Sequence, residues 1–117
     1  MGYIRHRAIL VTDYDEGRLA AAHAEAVRIF TPPEPDGFQG RPLSWARLVS
    51  PILASPVNGY DTFVIAPDGS KEGWPSSHEG DRRRTAFLAW AERADVRHVL
   101  VIAYGDDEPV LERPDGR

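Results

Sequence analysis

Leu48-Val49-Ser50-Pro51-Ile52-Leu53-Ala54-Ser55-Pro56-Val57-Asn58-Gly59-Tyr60-Asp61-Thr62-Phe63-Val64-Ile65-Ala66 reads as two extended runs around a tight turn, and the expected fold grows outward from it. Both central residues of a type I′ hairpin turn need positive φ, which Asn tolerates and Gly adopts freely, so Asn58-Gly59 is the strongest short hairpin signal in the chain. Leu48 to Pro56 and Tyr60 to Ala66 are therefore expected to pair antiparallel as the second and third strands. Pro51 and Pro56 lack the N–H that a ladder requires, which assigns the former run to a sheet edge.

Upstream, Ile4 to Thr12 contains Ala8-Ile9-Leu10-Val11 and is bounded by Asp13-Tyr14-Asp15, as expected of a buried first strand. Glu16 to Phe30 carries Leu19, Ala20, His23, Ala26, Val27 and Phe30 at helical spacing, with Asp13 or Asp15 as N-cap, and ends before Pro32-Pro33. Residues 31 to 47 hold four prolines and two glycines and read as a long connection anchored by Leu43 and Trp45. Downstream, Pro67-Asp68-Gly69-Ser70 is turn chemistry. Ser76 or Asp81 can cap a second helix running to about Ala94, with Phe87, Leu88, Trp90 and Ala91 as its apolar residues. Val96 to Tyr104 is an apolar run of the kind found in a central strand.

The resulting order, βαββαβ, is the ferredoxin-like arrangement: an α+β sandwich in which a four-stranded antiparallel sheet carries two helices on one face, with strands one and three in the middle. Residues 1–104 are expected to form one domain with 31–47 as a long Pro/Gly loop insertion, followed by an acidic flexible tail over 105–117. Alternation sets Ile9, Val11, Phe63 and Ile65 on one face and His6, Ala8, Leu10, Tyr60, Thr62 and Val64 on the other. The second face is therefore also partly apolar, and a second copy of the chain, the loop around Trp45 or a ligand is expected to cover it.

At 117 residues the chain is long enough for one core but not two, and 42% hydrophobic with 27% charged residues is the composition of a folded domain. A net charge of -4 argues against a broad surface for duplex nucleic acid, which needs clustered Lys and Arg. The absence of cysteine excludes disulfides, thiolate zinc sites and a cysteine nucleophile, and suits a reducing compartment. Ala8 to Val11 is too short an apolar run for a signal peptide or a membrane span, so a cytoplasmic location is expected.

Asp68-Gly69-Ser70-Lys71-Glu72-Gly73-Trp74 joins glycine-freed amides, a hydroxyl and an ammonium in one loop, chemistry that suits a phosphate or carboxylate, although a β-turn followed by a solvated lysine also explains it and the P-loop spacing is missing. Trp74 can stack on a base, but an aromatic beside a turn more commonly closes the core. Arg82-Arg83-Arg84 lies in the first turns of helix two, where a cation opposes the helix dipole; convergence with Lys71 and His78 would build an anion site, and divergence around the helix would leave pairs with Glu79, Asp81 or Glu92. His6 and Tyr60 share the second sheet face as a candidate binding pair or dimer seam. His23 lies on the apolar stripe of helix one, the usual position of a satisfied core histidine. No two histidines have metal-ligand spacing on one element, so no metal or cofactor is expected. No serine lies in G-x-S-x-G, and the acidic pairs Asp13-Asp15 and Asp106-Asp107-Glu108 read as solvated loops.

The strings Met1-Gly2-Tyr3-Ile4-Arg5-His6, Asn58-Gly59-Tyr60 and Pro67-Asp68-Gly69-Ser70-Lys71-Glu72-Gly73-Trp74, followed by Gly80-Asp81, Arg84, Phe87 and Trp90, resemble short uncharacterised proteins of phages and prophages. The likeness spans most of the chain except residues 31–47 and the tail. It implies an accessory or counter-defence role on host machinery or host signals, in the host cytoplasm, and it directs attention to His6, Tyr60, Ser70, Lys71, Trp74 and Arg84.

The expectation that follows is a non-catalytic phage or prophage binding protein, an anti-defence factor and homodimer, which captures a small anionic, nucleotide-derived ligand through those six residues. The alternative is a protein-interaction inhibitor that engages a host protein with the open sheet face. A small enzyme with its site between sheet and loops is the third reading, resting on fold analogy alone.

Overall fold

Ile9, Val11, Phe63 and Ile65 are all fully shielded from solvent, so the face they share is the one the helices cover. The computed structural model describes residues 4–31, 37–38, 41–42 and 45–105. Within them the chain runs β1 (Arg5–Asp13), α1 (Glu16–Ile29), β2 (Asp61–Ile65), α2 (Pro75–Arg93) and β3 (Val99–Gly105). Between α1 and β2, Gly37–Phe38 pairs with Arg41–Pro42, and Trp45–Leu48 forms a 3₁₀ turn that buries Trp45 as the expected anchor. Leu43 and the tail 106–117 lie outside the described residues.

The sheet has three strands and not the expected four, in the order β2-β1-β3, with both neighbours antiparallel to β1. The Asn58-Gly59 turn forms as expected, with φ of 63° and 69°. The run before it, Leu48 to Pro56, does not become a strand. It follows β2 through two isolated bridges, Val49 to Ile65 and Leu53 to Thr62, interrupted where Pro51 offers no donor. At the interruption Ser50 substitutes its side chain: Ser50 Oγ accepts from the Val64 N–H at 2.9 Å while the Ser50 N–H donates to the Val64 carbonyl at 2.8 Å. Beyond it the segment turns on its own polar groups, Ser55 N–H to Asp61 and Val57 N–H to Ser55 Oγ.

α1 begins at Asp15, whose carboxylate accepts the Arg18 N–H at 2.9 Å, and presses Leu19, Ala22 and Ala26 onto the sheet. His23 is satisfied, its Nε2 2.8 Å from the Ser50 carbonyl and its ring edge-on to Phe63. α2 starts earlier than the expected caps: Trp74 is the N-cap and Pro75 the first helical residue, where a missing N–H costs nothing. It buries Phe87 and Ala91. It ends in paired bonds, Val96 N–H to the Ala91 carbonyl and Asp95 N–H to the Glu92 carbonyl, with Asp95 at φ 61°. Val96 thereby belongs to the helix terminus, which is why the last strand starts at Val99 and not at Val96. No helix among the described residues is long and apolar enough to cross a membrane.

Candidate functional site

The loop from β2 into α2 is held by ion pairs before any ligand is considered. The Ser70 N–H donates to Asp68 Oδ1 at 2.8 Å, shaping the turn, and Asp68 Oδ2 accepts from Arg84 Nη1 at 3.2 Å. Arg84 Nη2 donates to Asp81 at 2.9 Å, Arg7 reaches both Asp81 and Glu72, and Arg5 lies 3.7 Å from Glu72. Gly80 makes this possible: a Cβ there would fall 2.0 Å from Asp68 Oδ2, so only glycine lets Asp68 reach Arg84. Arg84, with a side chain 7% exposed, is therefore the clamp that ties the loop to α2 and not a free anion ligand. Its charge is spent on two carboxylates.

On the surface of the same loop, Lys71 bridges to Ile4 at the start of β1, and its Nζ lies 5.4 Å from the centre of the Trp74 ring. Trp74 is 48% exposed, which overturns its expected place under α2. As N-cap it supplies no side-chain hydrogen bond, and the first turn of α2 holds no acidic residue. The three consecutive arginines diverge. Arg82 pairs with Glu79; Arg83 also reaches Glu79, lies over the Trp45 ring and donates to the Ile29 carbonyl; Arg84 points inward. The Arg82 and Arg83 guanidiniums hold the Glu79 carboxyl below its usual pKa. Arg82 and Arg83 line a groove of about 520 Å³ with Arg28, Thr31 and Glu79, between the end of α1 and the first half of α2. All three of its arginines are already paired, Arg28 with Glu25 and Arg82 and Arg83 with the one carboxylate of Glu79.

Among the described residues no helix lies on the other side of the sheet. Register aligns Leu10 between Val64 and Leu100, Ala8 beside Ile102, and His6 beside Tyr104, whose rings are 4.9 Å apart. At the far end Thr12 and Thr62 share a hydroxyl hydrogen bond of 2.9 Å, and Tyr60 sits between Tyr14 at 5.6 Å and His98 at 6.1 Å. Between His6 and Thr12 the nine residues that face this side on the three strands, His6, Ala8, Leu10, Thr12, Thr62, Val64, Leu100, Ile102 and Tyr104, include no Lys, Arg, Asp or Glu. Leu100 remains 56% exposed and Tyr104 41%.

His6 and Tyr60 share this face but do not meet. Continued by one residue, the register of β1 with β2 sets Tyr60 opposite Tyr14, eight residues or about 26 Å of strand from His6. Ser70, Lys71, Trp74 and Arg84 gather at the start of α2, away from Tyr60 but at the His6 end of β1, where Lys71 bridges to Ile4. Asp13, expected as part of a solvated acidic loop, is 2% exposed. It accepts Arg18 Nε and Nη2 at 2.5 and 2.8 Å and the Asp15 N–H at 2.9 Å, and the Arg18 bonds hold its carboxyl below the usual aspartate pKa. Leu100, Ile102 and Tyr104 escaped the sequence reading because an unbroken apolar run looks buried on both faces; their equal spacing of two was the signal available.

Among the described residues no group of three His, Asp or Glu could hold a metal ion. The chain matches no family model, no curated protein and no solved structure.

Proposed function

We propose that this chain is a non-catalytic binding protein that engages an uncharged, apolar surface of a protein partner through the bare face of its sheet. The carrying observation is that Leu100, Ile102 and Tyr104 stay exposed in a charge-free row while both helices occupy the opposite face. Apolar centres with tyrosines at the margin are the composition of protein interfaces, where Tyr supplies contact area and a hydroxyl at once. The uncharged face selects a partner surface without unmatched charges, since burying one against it would leave that charge unpaired. The resemblance to short phage proteins makes a host protein the natural candidate.

The test compares the full-length chain with Leu10→Glu and Tyr60→Glu on the bare face and Ala20→Glu on the exposed side of α1. One stoichiometric partner retained by wild type and Ala20→Glu, and lost with both face variants at unchanged unfolding temperature, supports the assignment. Equal retention by face and control variants overturns it.

One observation favours a second reading, capture of a small anionic ligand. The start of α2 is uncapped by any side chain, and the exposed Trp74 lies beneath Lys71 there, so a helix N-terminus, a cation and a stacking surface coincide. Saturation at a hundred times the dissociation constant would add about 2.7 kcal/mol to stability. A thermal-shift panel of nucleotides, cyclic oligonucleotides and ADP-ribose derivatives reads this directly: a shift lost in Lys71→Ala supports it, and no shift across the panel removes it. Ser70 belongs to the same loop; Arg84 does not serve as a probe because it holds the loop together.

A further inference from the structure

The outer edge of β3 is the one long, unprotected strand edge among the described residues. The Thr12 N–H donates to the His98 carbonyl at 3.0 Å, which sets the hydrogen-bonding parity of the β1–β3 ladder. In an antiparallel pair that parity alternates, so Leu100, Ile102 and Tyr104 direct their main-chain groups toward β1, and Val99, Val101, Ala103 and Gly105 direct theirs outward. The same rule applied to the other neighbour of β1 predicts outward groups on Thr62, Val64 and Ala66, and those three do bond away from β1, to Leu53, Ser50 and Leu48. Among the described residues nothing answers the outward groups of β3.

Natural edge strands are shielded by charge, proline, a bulge or shortness. Val99-Leu100-Val101-Ile102-Ala103-Tyr104-Gly105 has seven residues, no charge, no proline and continuous pairing with β1. From Leu100 to Tyr104 it is exposed on both faces, with Val101 52% exposed on the helix side and Leu100 on the bare side, while Val99 is half-buried and Gly105 buried. Main-chain donors and acceptors in a row specify a strand as occupant, since neither a helix nor a small ligand can satisfy them in register.

We infer that the occupant is β3 of a second copy of this chain, paired antiparallel about a two-fold axis at Ile102. In that register Val101 bonds with Ala103 of the other copy and Ala103 with its Val101, so the outward groups in the exposed centre of the edge are used. On the bare face Leu100 packs beside Tyr104 of the other copy and Ile102 meets its own equivalent, pairs that stabilise antiparallel sheets. Identity of the two strands makes the contact isologous and closed. The chain carries a net charge of -4, so two copies repel over most of their surfaces, and this charge-free strip lets them approach without opposing like charges. The result is a six-stranded sheet whose bare face is doubled and still open, so the dimer stands whether or not that face binds another protein.

Sedimentation equilibrium of the full-length chain tests the inference, with Ala103→Pro removing one outward donor and Val101→Lys placing a charge on the edge. A wild-type dimer at micromolar concentration, with both variants monomeric and unfolding at the wild-type temperature, is the expected result. A monomeric wild type, or a dimer unaffected by both substitutions, overturns it. So does a monomer whose Val101 and Ala103 amides resist hydrogen exchange, since the edge is then covered by the chain itself. Leu10→Glu, on β1, is expected to leave the dimer intact, which separates failure of the edge from failure of the face.

Discussion

The two edges of the sheet pose the same chemical problem and solve it differently. On the β2 side the outward main-chain groups of Thr62, Val64 and Ala66 are answered within the chain by Leu53, Ser50 and Leu48. The answering segment is itself closed to further pairing, because Pro51 and Pro56 interrupt its donors. On the β3 side the exposed Val101 and Ala103 present an equivalent row to which no described residue replies. A domain that blunts one edge with prolines and leaves the other long, uncharged and apolar has a direction of growth, and the difference marks β3 as the assembly edge.

The comparison breaks most sharply at neighbouring positions of β3. Ile102 donates inward and Ala103 outward, so Ile102→Pro is expected to cost about 3 kcal/mol, through a lost ladder bond and a lost side chain, while Ala103→Pro changes unfolding by less than about 0.5 kcal/mol and abolishes only association. Urea unfolding of the two variants reads the contrast, and equal losses would refute the parity assigned to β3. On the β2 side, Ser50→Ala leaves the Val64 N–H without its acceptor and is expected to cost about 1–3 kcal/mol in the same assay, with no effect on oligomeric state.

The smallest effect lies at the end of β1, which both edges share. Hydrogen bonds from Arg18 lower the Asp13 pKa in the folded chain. A depressed carboxylate contributes stability that is fully present above the unfolded pKa of about 3.9 and is lost as pH falls through the folded value. Asp13→Asn is therefore expected to lower the unfolding temperature near pH 7 and to converge with wild type below about pH 4. A constant gap down to pH 2.5 would show that Asp13 acts through its hydrogen-bonding shape and not its charge.

Much of the local structure was legible in the residues alone. The parity of Ile9, Val11, Phe63 and Ile65 named the helix-facing side, Asn58-Gly59 named the turn, and the spacing of Leu19, Ala26 and Phe30 named part of the buried stripe of α1, although Ala20 and Val27, read into it, are exposed and Ala22, left out of it, is buried. Each depends on dihedral preferences and periodicity within a few residues, which the chain carries wherever it goes. Other features were decided by neighbours distant in sequence. Pro51 and Pro56 showed that Leu48 to Pro56 was an edge, but whether it paired as a strand or by isolated bridges depended on Ser50 Oγ meeting the Val64 N–H. The arginine triplet gave no hint that Arg84 would be buried between Asp68 and Asp81, because that pairing requires Gly80 to pass beneath the loop. The separation of His6 from Tyr60 is a matter of register, and the exposure of Leu100, Ile102 and Tyr104 follows from β3 being last in the sheet. Sequence determined which residues could be strand, helix and turn. Strand order, register and the partners of the buried charges were settled only by tertiary structure, since each is a choice among long-range pairings that local chemistry leaves equivalent.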